Sequence, residues 1–224
     1  MKQIPKTRLI SPPSDLAVSV DDLKTFLRVD GTTEDTMIQT FAKAAINRIE
    51  KYIDHKLITQ TWEILFDRFP GYGSVGLGDV TGVVDASRSV LSGCNGVVEL
   101  PFGRVQSIES FKTFDNDDQA YTFAPVNYSV DTVSYQGRIA LKIGAVWPAT
   151  VLRPVNGIQI IAKVGYGDAP ESIPEEIIHA IKLTVAKLYE NRGDNSNSEF
   201  FGFAGFTLPN TAMMLLEPFR RIKL

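Results

Sequence analysis

Few residues in this sequence could catalyse a reaction or bind a metal ion. The two histidines, His55 and His179, have no cysteine, histidine or carboxylate beside them at the spacing of a metal site. His179 is two positions from both Ile177 and Ile181 of a predicted apolar stripe, so we expect it to face solvent or an interface. The single cysteine, Cys94, has no basic neighbour in the sequence to activate its thiol. The sequence therefore predicts no catalytic residue, no metal site and no cofactor.

Two segments match site motifs in their letters but not in their context. Gly71, Gly73 and Gly76 have the spacing of a dinucleotide-binding loop. Such a loop joins a strand to a helix, whereas this one is followed by more glycine, so we expect no nucleotide site. Residues 115–118 (Asp-Asn-Asp-Asp) lack the glycine and the distant glutamate of a calcium loop. We predict a turn between two strands there.

Charge and composition narrow the class of protein further. The 224 residues include 23 basic and 26 acidic ones, and a net charge of −3 argues against a general nucleic-acid-binding protein. No run of about 18 apolar residues is present, and the first residues lack the apolar part of a secretory signal. One cysteine excludes an internal disulfide and a zinc site made of cysteines. These features predict a soluble cytoplasmic protein with no membrane partner.

Helical periodicity occurs near both ends of the chain. Ser19 with Asp22 predicts the start of a first helix, and apolar residues spaced by three or four predict a second over about residues 34–54. Helical spacing returns after Pro170. The same capping signal is predicted at Thr32 with Asp35 and at Ser172 with Glu175, and Asn210 is predicted to cap a final short helix.

Apolar alternation with a period of two fills the region between these helices and predicts an antiparallel sheet or barrel. The predicted strands are Trp62–Phe66, Val97–Leu100, Val105–Phe114, Tyr128–Asp131, Arg138–Ile143 and Ile158–Val164. The fold class is therefore α+β, with a bundle of N- and C-terminal helices and an inserted small antiparallel sheet or barrel. The expected divisions are an extended arm (1–18), a helical core (19–56 and 170–224) and an inserted β-rich subdomain (57–169).

Two segments are predicted to contact other proteins. Residues 71–97 hold seven glycines and three charges, are too long for a tight turn, and are expected to project as a loop. This segment includes Gly71, Gly73, Gly76 and Gly78. Residues 193–210 change from polar to aromatic, and rings in a glycine-containing loop either pack on their own domain or dock into a neighbour. The aromatic residues are Phe200, Phe201, Phe203 and Phe206.

The C-terminal segment 217–224 is basic in an acidic chain. It has three basic residues and one acidic residue, Glu217, so its side chains carry a charge of +2. Apolar and basic residues alternate in Phe219, Arg220, Arg221, Ile222 and Lys223. This segment either lies extended on a partner, where its arginines pair with carboxylates, or folds back onto its own helices.

Short strings along nearly the whole chain resemble the head–tail connector (adaptor) proteins of tailed bacteriophages and gene transfer agents. The strings are Leu23–Asp30, Thr33–Asp35, Leu57–Trp62, Leu65–Pro70, Val98–Pro101, Val105–Ser107, Asn127–Asp131, Gly137–Ile139, Trp147–Pro148, Gly165–Asp168, Ile173–Pro174, Tyr189–Arg192 and Leu215–Arg220. Each string alone is weakly specific, whereas their order along the chain is more specific. Residues 71–97 depart from the family, which commonly has a shorter connection there.

The resemblance implies a structural protein of the virion and not an enzyme. Members of that family form a ring, usually of twelve copies, beneath the portal protein at the head–tail junction after assembly in the host cytoplasm. The ring extends the DNA channel, so DNA passes without being read. It also offers a platform for the next neck protein, a stopper or a tail terminator. The family commonly reaches the portal through its C-terminal segment, so Phe219–Lys223 are expected to bind portal.

Two other functions are compatible with a β-rich insert. A phage-encoded hydrolase would need converging carboxylates or a base, and the predicted strands carry only scattered acidic residues. A receptor- or carbohydrate-binding module would need tryptophans facing solvent. Trp62 and Trp147 instead lie where packing in the core is expected.

Overall fold

A computed structural model describes residues 4–69, 97–148, 151–192 and 208–221. These residues form two compact units. The first unit, here the β unit, comprises described residues within 1–12 and 60–165, and the second, the helical unit, those within 13–59 and 166–224. All strands fall in the β unit and all α-helices in the helical unit, so the predicted α+β class is confirmed.

Four α-helices are present in the described part of the helical unit. They are α1 (Val20–Leu27), α2 (Asp35–Ile53), α3 (Glu175–Glu190) and α4 (Asn210–Leu216). Each buries one apolar face, as the spacing predicts: Ile38, Ala42, Ala45, Ile49 and Ile53 recur at three- or four-residue intervals along α2. Short 3₁₀ turns occupy residues 170–172 and 217–219. None of the described helices is long and apolar enough to cross a membrane.

One of the predicted helix caps is confirmed and three are wrong. The Ser19 hydroxyl accepts the backbone N–H of Asp22 at 3.1 Å, as a capping serine should. Before α2, Thr32 uses its backbone carbonyl, which accepts the N–H of Asp35. The Ser172 hydroxyl turns back to the carbonyl of Ala169, since Pro174 occupies the position before α3. Asn210 is the first residue of α4 and follows Pro209.

The β unit has eight described strands in two antiparallel sheets. They are β1 (Lys6–Ser11), β2 (Gln60–Phe66), β3 (Val97–Glu99), β4 (Val105–Phe114), β5 (Ala120–Thr122), β6 (Tyr128–Asp131), β7 (Arg138–Leu141) and β8 (Ile158–Val164). The larger sheet has the order β1-β2-β8-β4-β5 and the smaller one β3-β7-β6. The six predicted strands are confirmed, as is the turn at 115–118, which joins β4 to β5. The sequence missed β1 and β5, the two edges of the larger sheet.

Aromatic rings fill the core between these strands. The buried ring of Phe111 lies 5.2 Å from that of Phe123, 5.5 Å from that of Tyr128 and 6.0 Å from that of Trp147. Trp147 also stacks on Phe69 at 4.5 Å. The packing of Trp147 predicted from the sequence is confirmed, since its ring packs against the buried core of this unit.

Candidate assembly surfaces

The two histidines lie in different environments. His55 is buried beyond the end of α2, whereas His179 is exposed on α3, as expected, with its ring edge-to-face against Phe26 at 6.1 Å. Among the described residues, no three histidine, cysteine or acidic side chains come together as they would around a metal ion. Cys94 lies outside the described residues. The polar clusters described next lie in the C-terminal segment, at the end of α3, along β1 and in the turn after β6.

The C-terminal segment folds against helix α2 as far as the structure describes it. The backbone N–H of Arg221 donates to the carbonyl of Ile53 at 3.1 Å, and its guanidinium lies 3.2 Å from the carboxylate of Asp54. Arg220 lies over the ring of Tyr52 and 3.7 Å from Glu217. Phe219 packs on the helical core. The side chain of Arg220 remains 50% exposed and that of Arg221 only 14%, so the two arginines differ in their availability to a partner.

A second polar cluster fixes the end of helix α3. The hydroxyl of Tyr189 donates to one carboxylate oxygen of Glu34, and Arg192 lies 3.2 Å from the other. The Tyr189 hydrogen bond lowers the pKa of Glu34, and the same bond raises the pKa of Tyr189. The cluster holds the chain in a defined position just before residue 193, where the phenylalanine-containing segment begins.

Several residues assigned to partner contacts lie outside the described part of the chain. They are Gly71, Gly73, Gly76, Gly78, Phe200, Phe201, Phe203, Phe206, Ile222 and Lys223. Their contacts therefore stay predictions.

An ion pair holds the edge strand β1 to its neighbour. The guanidinium of Arg8 lies 2.7 Å from the carboxylate of Glu63 on β2, and Gln159 of β8 donates to the same carboxylate. Glu63 is buried, although the alternating pattern places it on the polar side of its strand. Lys6, on the same face of β1, lies 3.5 Å from Asp67 and donates to Asn156. The sequence of this strand resembles that of an extended arm. Pro5 and Pro12 flank it, and all six of its residues are exposed, so it shows no buried apolar face.

The turn after β6 presents apolar side chains on a rigid frame. Asp131 accepts the backbone N–H groups of Val133 and Ser134, the hydroxyl of Ser134 and the guanidinium of Arg138. The Ser134 hydroxyl, followed by Arg138, lowers the pKa of Asp131 well below its usual range. Val133 is 87% exposed at this tip, beside the exposed ring of Tyr135. No pattern in the sequence indicates this surface.

A comparison with known protein families matches the N-terminal part of the chain. The family described as phage gp6-like head-tail connector protein matches residues 17–79, which include α1, α2 and β2. Over this segment, the chain is similar to that connector family. The resemblance predicted from the sequence is confirmed, and with it a structural connector role. A search of curated proteins finds no match to this chain.

Solved structures extend the likeness of the connector's fold to almost its whole length. It matches a chain of "Neck of empty GTA particle computed with C6 symmetry" with a TM-score of 0.70 and 17% identity, over 98% of this chain and 97% of that one. For "Virion of native gene transfer agent (GTA) particle" the TM-score is 0.67 at 17% identity, with 97% and 96% coverage. For "Neck of native GTA particle computed with C12 symmetry" it is 0.67 at 16% identity, with 98% and 97% coverage. At these identities, the likeness is one of fold.

Proposed function

We propose that this connector forms a closed homo-oligomeric ring in the neck of a virion, with the twelve copies expected from the resemblance. The observation that supports this most strongly is the fold match over 98% of the chain to a protein in the neck of a gene transfer agent particle. The necks that contain such chains were computed with C6 and C12 symmetry. The ring assembles in the host cytoplasm and has no enzymatic activity.

The proposed partners are the portal protein on the head side and a neck or tail protein, a stopper or tail terminator, on the other. DNA passes through the lumen without sequence recognition, which agrees with a net charge of −3. No feature of the described residues favours a hydrolase or a carbohydrate-binding module. Trp147 is stacked on Phe69, and the buried carboxylate of Glu63 is paired with Arg8.

The test of this function is binding to portal-bearing heads. We expect the purified protein to be a monomer or a weak oligomer that co-sediments with heads containing portal and not with heads lacking it. A stable dimer that persists when portal is added, with no binding to heads, would contradict the proposal.

For the portal contact we propose the C-terminal segment, Phe219, Arg220, Arg221, Ile222 and Lys223. The contacts described above support separate roles within it. Arg221, with its backbone and side chain on α2, fixes where the segment leaves the helical unit, and Arg220 is the exposed cation that pairs with a portal carboxylate.

Two variants test this portal contact. Arg220→Glu should weaken co-sedimentation, more at low salt than at high salt, because an exposed ion pair is screened. Removal of residues 222–224 should weaken it further while circular dichroism stays native. Lys163→Glu is the matched control, since Lys163 is a similarly exposed cation of the β unit, 3.0 Å from Glu109. Wild-type binding by both test variants would place the portal contact elsewhere.

The glycine-rich residues 71–97 and the phenylalanine-containing residues 193–210 are proposed to contact neighbouring proteins in the neck. The test replaces residues 71–96 by a short Gly-Ser turn, because Val97 begins strand β3 and pairs with Ala140. This replacement should leave a folded protein. Loss of soluble folding would mean that this segment belongs to the core of the β unit.

A further inference from the structure

The two edges of the larger sheet are open in the part of the chain that the structure describes. In the order β1-β2-β8-β4-β5, every pairing is antiparallel, so β1 and β5 run in the same direction. All six residues of β1 and all three of β5 are exposed. An open edge presents a row of backbone N–H and C=O groups with which another chain can pair.

Both open edges carry apolar side chains that the fold leaves in water. Ile4, Leu9 and Ile10 are exposed along and beside β1, and Tyr121 is exposed in the middle of β5. Pro5 and Pro12 flank β1 and limit pairing to the residues between them. Exposed apolar residues on a strand edge favour pairing with a further strand.

The charges at the two edges are opposite. Strand β1 has two basic residues, Lys6 and Arg8, and no acidic one, whereas residues 115–122 have three aspartates and no basic residue. Lys6 and Arg8 also contact Asp67 and Glu63 of their own chain, yet their side chains stay 54% and 74% exposed. Asp118 likewise contacts Arg153 and stays 74% exposed, so both edges keep charge within reach of a neighbour. The acidic turn is preformed, because Asp115 accepts the backbone N–H groups of Asp117 and Gln119 and the hydroxyl of Tyr121, each at 2.9 Å. Opposite charges favour contact between the two different edges, while contact of β1 with another β1 would oppose like charges.

The position of the charges along each strand favours parallel pairing. Lys6 and Arg8 lie in the first half of β1, and the acidic turn immediately precedes the first residue of β5. Parallel pairing therefore brings the cations beside the aspartates and Leu9 towards Tyr121. Antiparallel pairing would place the cations at the far end of β5.

We propose that β1 of one copy adds in parallel to β5 of the next copy and continues the sheet from subunit to subunit. The contact joins two different edges, so it is a head-to-tail interface of the kind that closes into a ring. This inference rests on the proposed ring. Beyond the ring itself, it names β1 and β5 as the strands that join neighbouring subunits.

A disulfide between β1 and β5 can distinguish contacts within a chain from those between chains. Three strands separate β1 from β5, so the two lie about 19 Å apart at four strand spacings of about 4.8 Å. A disulfide needs Cα atoms within about 7 Å. A bond between positions 9 and 121 can therefore form only between two copies.

The experiment uses the full chain with Cys94→Ser, assembled on portal-bearing heads and mildly oxidised. Leu9→Cys with Tyr121→Cys in one chain should give a ladder of covalent oligomers on a non-reducing gel, and neither single variant should. Dimers from Leu9→Cys alone would show that β1 meets β1 and would overturn the inference.

A charge exchange provides a second measurement that does not depend on the exact register. Lys6→Glu should reduce the assembled fraction about two- to fivefold at low salt, and adding Asp117→Lys should restore it. Lys142→Glu, an exposed cation of the same unit, is the matched control and should change nothing. No ladder and no effect of Lys6→Glu, on heads where microscopy shows a complete ring, would overturn the inference and leave the proposed function standing. Absence of any ring would contradict the proposed function and this inference with it.

Discussion

The helical unit and the β unit differ in how completely each buries its apolar residues. Of the large apolar residues that are exposed in the described chain, eleven lie in the β unit and two, Phe26 and Met214, in the helical unit. The helical unit therefore leaves few large apolar side chains in water, and the family match covers its helices α1 and α2 together with β2 of the β unit. The β unit combines a rigid aromatic core with open strand edges and apolar tips. The difference indicates that the β unit supplies more of the surfaces that become buried on assembly.

The largest effect is expected from opening the aromatic core of the β unit. Phe111→Ala should lower the free energy of unfolding by about 3–5 kcal/mol, because four surrounding rings lose their contacts. Urea unfolding measures this. Val133→Ala, at the exposed tip, is the control and should change stability by less than about 0.5 kcal/mol. Equal effects of the two would mean that the aromatic cluster is not the core of this unit.

The two cations of β1 should differ in their contribution to stability. Arg8→Met leaves the carboxylate of Glu63, which is 4% exposed, without its cation, and should cost about 2 kcal/mol. Lys6→Met should cost less than about 1 kcal/mol, because its partner Asp67 is 39% exposed and 3.5 Å away. Hydrogen exchange of residues 6–11, together with urea unfolding, reports both. Equal costs would contradict the anchoring of β1 through Glu63.

These edge strands also mark the limit of sequence-based prediction. Helix α2 and strand β8 were predicted because their burial follows a regular period that the sequence displays. Strand β1 has all its residues exposed and β5 has only three residues, so neither shows a buried face. Glu63 looked like a surface residue, since its cation is distant in sequence. The Asp131 turn depends on side-chain hydrogen bonds that composition does not reveal, whereas the connector role followed from ordered strings along the chain.

Capping in the helical unit provides a smaller and closely matched test. Ser19→Ala should lower the free energy of unfolding by about 1 kcal/mol, because the N–H of Asp22 loses its acceptor. Thr32→Ala should cost less than about 0.5 kcal/mol, since the N–H of Asp35 is accepted by the backbone carbonyl of Thr32, which the substitution keeps. Thermal unfolding of the two variants compares them directly. An equal loss would show that the start signal at Thr32 also acts through its side chain.

The smallest effect concerns the acid response of the β6–β7 turn. Folding lowers the pKa of Asp131, so its stabilising contribution is fully present above the unfolded value of about 3.9 and is lost only as pH falls through the lower folded value. The side-chain carboxyl ¹³C signal of Asp131 should therefore show an ionised group at pH 3. Ser134→Ala should move the midpoint upwards, whereas Ser129→Ala should not. Titration of the wild-type group near its usual pKa would contradict the hydrogen-bonded turn.

The most direct test of the connector assignment is cryo-electron microscopy of portal-bearing heads incubated with the purified protein. The proposal predicts a closed ring of density beneath the portal into which copies of this fold fit in one repeating orientation, twelve around the axis. Heads with no added density at the portal, or density that does not close around the channel, would contradict it.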